Sequence, residues 1–243
     1  FGAYWFSDQF LLKMYNAKRI DENSSPEIYM LVADLAQTAN LPTPAIYIIN
    51  EDSPNAFATG RDPKHAAVAV TTGLLKVLNS SELKGVLAHE LAHIYNRDML
   101  ISTFSATLAS AISSIATFAM FFGGRNSEGK SLSPLILLLL AFLAPVAATI
   151  IQMAISRSRE FEADRIGSYF SNDPLSLASA LKKIESHANG LKFDTAERNP
   201  STAQMMIMNP LSGNGLTGLF STHPSTFDRI KKLEKLAKNK NGY

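Results

Sequence analysis

The sequence predicts an α+β fold that is mainly helical, with a small β-sheet and a membrane-spanning helical hairpin set into the middle of the chain. Three observations carry this. Two uncharged apolar runs of 26 residues each follow one another at residues 99–124 and 131–156. Ahead of them the β-branched segments AIYIIN (45–50) and AAVAVT (66–71) read as strands. On either side, apolar residues recur at helical spacing.

The 243 residues suffice for one large domain, or a domain with an appendage, and for a sizeable core. Charged residues make up 18% of the chain, below the usual quarter. The deficit is local, because residues 99–156 carry only Arg125, Glu128 and Lys130. A net charge of +2, from 23 Lys and Arg against 21 Asp and Glu, provides no field to gather nucleic acid, which is excluded as a partner. With no Cys, a disulfide scaffold, a zinc ribbon, an iron–sulfur protein and a thiol enzyme are excluded together. Any metal must be held by His, Asp or Glu.

Taken in order, the chain opens with Tyr4, Trp5 and Phe6 ahead of Lys13, Lys18 and Arg19, the arrangement of a helix leaving a membrane on its cytoplasmic side. A helix is expected at 26–40, capped by Ser24 or Ser25, with Ile28, Leu31, Val32 and Leu35 on one face. A turn at 41–44 leads to the first strand, and 56–60 supplies a third strand between the other two. Ser80 or Ser81 is expected to cap the next helix. Each uncharged run would form a helix about 39 Å long, enough to cross a bilayer with some tilt. The second run carries Pro145, where a kink is expected. The first carries eight Ser or Thr residues among small Ala residues, suiting a face packed on other helices. Helices resume at 175–187 and 225–240, and 189–218, rich in Gly, Asn, Pro and Met, reads as a loop. The chain thus divides into 1–98, the hairpin at 99–156, and 157–243.

The chemistry lies in His89-Glu90-Leu91-Ala92-His93. On a helix, two imidazoles at i and i+4 face one way and can hold one zinc ion, while Glu90 sits beside them to handle a water. A third ligand is the test of so short a motif. After the second run comes SREFEAD, with Glu160 and Asp164 four apart on one helix face and Glu162 on another. Glu160 can complete a His2Glu site that leaves one position open, and Asp164 can accept the second N–H of a ligand histidine.

HELAHIYNRD, two membrane-length runs, SRSREFEADRIG and STHPSTFDRI, in that order, resemble the HtpX-type membrane zinc metalloproteases, relatives of the CAAX prenyl proteases. The resemblance runs from near residue 1 to about residue 237. It implies a zincin-like protease domain interrupted by the hairpin, and one Zn2+ per chain on His89, His93 and Glu160. It further implies Glu90 as catalytic residue, Asp164 behind a ligand histidine, His223 as hydrogen-bond donor to the oxyanion, and Arg229 paired with a site carboxylate. By the same resemblance Asn55, Ala56, Phe57 and Ala58, with Val68 and Val70 of the strand at 66–71, border the cleft and bind substrate backbone. Two further membrane helices would lie upstream. His65 and His187 have no partner in the pattern and are expected at the surface.

These residue types describe an endopeptidase for polypeptide substrates, in which Glu90 is the general base and an edge strand holds the peptide extended. The resemblance implies misfolded or misassembled membrane proteins as substrates and quality control in the bacterial inner membrane as the role. Arg97, Arg157 and Arg159 flank the outer ends of the hairpin, which puts the metal-binding helices in the cytoplasm, close to the bilayer surface. Two other readings compete. A CAAX-type prenyl-protein protease would need a larger helical chamber, and a non-catalytic, zinc-stabilised membrane scaffold would have no use for Glu90.

Overall fold

In a computed structural model, residues 7–122, 133–188, 193–198, 206–207 and 224–240 are described. The expectations for Tyr4, Trp5 and Phe6, for the connection at 125–130 and for His223 lie outside them, as does most of 189–218.

The elements run α1 (Ser7–Met14), β1 (Lys18–Ile20), α2 (Pro26–Thr38), β2 (Ala45–Ile49), β3 (Ala56–Gly60), β4 (Ala66–Thr71), α3 (Thr72–Val77), α4 (Ser80–Tyr95), α5 (Asp98–Phe122), α6 (Pro134–Ser171), α7 (Pro174–Ala188), α8 (Asp194–Arg198) and α9 (Thr226–Lys240). The fold is mainly helical with one small mixed sheet, as the sequence predicts. The sheet has the order β1-β2-β4-β3, with β2 and β4 parallel and the outer pairs antiparallel. One face packs on α4 and, through Ile46, Ala58, Val68 and Val70, joins a core that α2 and α7 complete, and the other packs on α1 through Phe57, Ala67 and Ala69.

This order corrects one expectation. The strand at 66–71 is not an edge, because β4 is paired along both sides, and Val68 and Val70 are fully buried core residues. They cannot offer main chain to a substrate. The edge belongs to β3, and part of it is taken. Met206 bridges Phe57, and the Ile207 N–H donates to the Ala56 carbonyl at 2.9 Å.

Helix α4 lies at the centre, buried on nearly all sides from Glu82 to Ile94. Burying each of Leu83, Val86, Leu87, Leu91 and Ile94 contributes about 1.5–3 kcal/mol. Its cap is Asn79, not Ser80 or Ser81. The Asn79 side chain accepts from the Glu82 N–H and the Glu82 carboxylate accepts from the Asn79 N–H, both at 2.9 Å. Glu82 also takes Lys183 and Ser179 of α7, so the start of α4 is tied to the next layer. At α2, Ser25 is in the cap position but makes no side-chain cap bond, and Pro26 starts the helix instead.

Among the described residues, helices α5 and α6 contain two stretches long and apolar enough to cross a membrane. Phe104 and Phe142 are each 69% exposed, so this pair turns large apolar side chains outward, as lipid contact requires and water does not tolerate. Helix α6 runs unbroken through Pro145 for 38 residues, about 57 Å. The boundary expected at 156/157 therefore falls inside one helix that carries both the apolar stretch and Glu160.

The inner part of α6 lies directly on α4. A Cβ on Gly167 would sit 2.8 Å from the His89 nitrogen and 2.9 Å from its Cα, both main-chain atoms that cannot step aside. Gly167→Ala should therefore push the two helices apart and destabilise the protein by about 1–3 kcal/mol, despite the better helix propensity of Ala. Thermal unfolding in detergent checks this, and a midpoint at or above that of the parent would rule out the close contact.

Candidate metal centre

Three side chains converge where α4 meets α6. His89 and His93, one turn apart on α4, and Glu160 of α6 each offer a ligand atom, all within 4.8 Å of one another. The two Nε2 atoms are 3.1 Å apart, and Glu160 oxygens lie 3.7 Å from that of His89 and 3.6 Å from that of His93. The Nδ1 atoms point away to carboxylates: His89 to Asp164 at 3.0 Å, His93 to Asp98 at 2.5 Å. Each carboxylate holds the ring proton on Nδ1 and leaves the Nε2 lone pair for the shared space. Two imidazole nitrogens and a carboxylate around a common point are the donor set of a divalent cation such as zinc, so the residues present fit a metal ion.

Asp164 is in turn clamped by Arg229 of α9. The guanidinium donates from Nε to Oδ2 at 2.9 Å and from Nη2 to Oδ1 at 2.7 Å, while Nη1 donates to the Ile207 carbonyl at 2.9 Å. Arg229 is only 1% exposed. A cation buried this deeply is tolerated because its donors are engaged, and removing one partner of such a pair costs about 3–5 kcal/mol.

Glu90 is 1% exposed, and among the described residues neither of its oxygens has a hydrogen-bond partner. Burial pushes its carboxyl up to about 7, and the Glu160 charge adds to the push. Burial and the Arg229 charge push His89 down. Burial would also lower His93, but the Asp98 hydrogen bond and the charges of Glu160 and Glu90 outweigh it and hold His93 up at about 9.

A cavity of about 510 Å³ opens beside the ligands. Its walls include Ala58 and Gly60 of β3, His93, Glu160, and Thr103 and Ala106 on the first turns of α5. Of the residues expected to border a cleft, Ala58 does so. Asn55 instead binds Thr71 through its main-chain N–H, and Ala56 and Phe57 are buried in the sheet. His89, His93, Glu160, Glu90, Asp164 and Arg229 are brought together. His65 and His187 are not among them, His65 pairing with Asp62 and His187 with the Lys183 carbonyl. Sequence pattern does not single out Asp98, whose only signal is a carboxylate five residues past His93.

A helical domain with a small sheet, an HExxH helix and a third carboxylate ligand on a second helix defines a metallopeptidase. Residues 22–237 match Peptidase family M48, and the chain belongs to that family. It is 62% identical over 233 residues to a Protease HtpX homolog of Methylibium petroleiphilum, covering 96% of this chain and 82% of that protein. It is 60% identical over 238 residues to a Protease HtpX homolog of Burkholderia multivorans, covering 98% and 84%. Among solved structures, the crystal structure of S. mikatae Ste24p superposes with a TM-score of 0.54 at 19% identity over 95% of this chain, a likeness of fold. This chain spans 55% of that chain's length. With these relatives, the two outward-facing apolar helices make it a membrane protein.

The raised His93 gives a pH signature. Its proton stabilises the metal-free fold fully below the ordinary value of 6.5, and that contribution is lost as pH rises through about 9. Chelator-treated protein should therefore lose thermal stability between pH 7 and 9. Metal-loaded protein, whose His93 has no second proton to lose, should lack this fall. Thermal scans at pH 7, 8 and 9 with and without chelator read the difference, and a flat metal-free profile would contradict the assignment.

Proposed function

We propose that this chain is a zinc-dependent endopeptidase of the membrane, with one zinc ion held by His89, His93 and Glu160 and with Glu90 as general base. The observation that carries it is a buried carboxyl, Glu90, without a hydrogen-bond partner among the described residues, standing beside three convergent ligands and an open strand edge. A structural metal site needs no such group.

A zinc ion in that position supplies a Lewis acid that polarises the scissile carbonyl and makes water easier to ionise. The chain's own residues do the rest. Glu90, with its affinity for protons raised by burial, takes the proton of the attacking water and later delivers it to the leaving amine. The outer edge of β3 at Ala58 and Gly60 holds the substrate extended through main-chain bonds. Asp164, braced by Arg229, keeps His89 oriented. By resemblance, His223 is the donor to the developing oxyanion.

Recognition through main chain reads few side chains, so the substrates are polypeptides in unfolded or misassembled form, membrane proteins among them. The resemblance implies a bacterial inner-membrane location, and the charges around the hairpin favour an active site on the cytoplasmic side.

Glu90→Gln should retain zinc and lose hydrolysis of casein or a membrane-protein substrate, whereas His89→Ala and Glu160→Ala should lose the metal. Zinc content and cleavage are measured together, and wild-type turnover by Glu90→Gln would end this reading. Orientation has its own test, since the chain has no native Cys. Single Cys residues placed separately at Ser127 and Asn239 should be labelled in intact cells by an impermeant thiol reagent at 127 alone. The reverse pattern would turn the site to the other side of the membrane.

A further inference from the structure

We propose that Asp98 is a positioning residue for His93, and that one metal ligand is therefore oriented by the first residue of a membrane helix. The proposal rests on the reading of His89, His93 and Glu160 as metal ligands.

Asp98 lies past the end of α4 and could not face His93 if the helix simply continued. The chain reverses first. Asn96 closes α4 in helical conformation, and Arg97 then takes a φ of +56°, a left-handed conformation that residues with a Cβ rarely adopt. Helix α5 begins immediately, at Asp98. This turn brings the Asp98 Oδ2 to 2.5 Å from the His93 Nδ1 and leaves the residue only 6% exposed.

The aspartate is itself held in place. Arg159, next to ligand Glu160, donates from Nη1 to the Asp98 carbonyl at 2.7 Å and also to the Ser102 hydroxyl. The first turn of α5 is thus fastened to α6 one residue from the third ligand. A neutral imidazole has a single N–H. A carboxylate at Nδ1 draws the proton there, fixes the ring plane and leaves Nε2 free to bind metal. Asp164 stands in the same relation to His89 at 3.0 Å, so each ligand histidine has its own carboxylate, one from the ligand-bearing half of α6 and one from the start of α5.

The test uses the full chain in detergent, stripped of metal and titrated with zinc and with cobalt(II) against a competing chelator. Asp98→Ala should bind metal about 10- to 100-fold more weakly, with an altered cobalt(II) absorption spectrum. Asp98→Asn keeps an oxygen that accepts the Nδ1–H, and should recover most of the affinity and the parental spectrum. Asp98→Ser separates ring positioning from any role in starting α5, because Ser keeps a short polar side chain in the first turn but is too short to reach His93. It should match Asp98→Ala in affinity, while metal-free it should be the more thermally stable of the two. Parental affinity and spectrum in Asp98→Ser would overturn the proposal, as would equal losses in the Ala, Asn and Ser variants. A parent chain that binds no metal would instead overturn the reading of the ligands.

Discussion

The metal centre depends on a main-chain contact between two helices. Gly167 of α6 sits against the backbone of His89 on α4, at a distance no side chain could occupy. That approach is what allows Glu160 and Asp164, on the adjoining turns of α6, to reach the two nitrogens of His89 from one helix. Glu160 then meets His93 one turn along α4. Separate the helices by a methyl group and each of these distances lengthens together. Gly85 repeats the device on the same helix, where a Cβ would meet the main chain of Leu177 on α7. α4 is thus gripped by backbone contacts to two neighbours, which suits a helix that must hold ligands in fixed positions.

Charge makes the second demand. Glu90, Asp98, Glu160 and Asp164 are all buried around this contact, and Arg229 is the one fully buried cation among them, with Arg159 half-buried nearby. Carboxylates at this density repel one another strongly away from water. The excess of acid is a reason for a divalent cation to stay; burial, with a smaller addition from the Glu160 charge, holds the Glu90 proton more firmly than that of an ordinary glutamate. Structure and the proposed chemistry share a cause here, since the burial that would normally be a cost raises the proton affinity of Glu90.

Much of this was legible before any coordinates, and the division between legible and hidden is physical. The apolar helices are visible because charge is missing over a long stretch, and the strands because β-branched residues cluster. His89 with His93, and Glu160 with Asp164, are visible because i and i+4 spacing places each pair on one side of its helix, and Glu90 because it directly follows His89. What stayed hidden depended on how distant segments meet. The interior position of β4 follows from β3 folding back beside it, which no local pattern encodes. The cap of α4 was misplaced by one or two residues because Asn79, Ser80 and Ser81 all make good caps. Glu82 decides between them by standing three residues after Asn79. Asp98 was hidden because its meeting with His93 needs the left-handed turn at Arg97.

The pairing of Ile207 with Ala56 has a further consequence. Main-chain groups of a strand point alternately to its two sides, and with Asn55 turned to Thr71 and Ala56 turned to Ile207, the next outward positions on β3 are Ala58 and Gly60. If substrate is held along this edge, as proposed, two rungs give a peptide little intrinsic affinity, too little to capture dilute chains from free solution. Confinement supplies the rest. A substrate sharing a two-dimensional sheet of lipid with the enzyme meets it at an effective concentration far above its average in the cell. On the proposed reading, weak holding then becomes selective by location, favouring chains that remain beside the enzyme in the bilayer over soluble proteins that pass by.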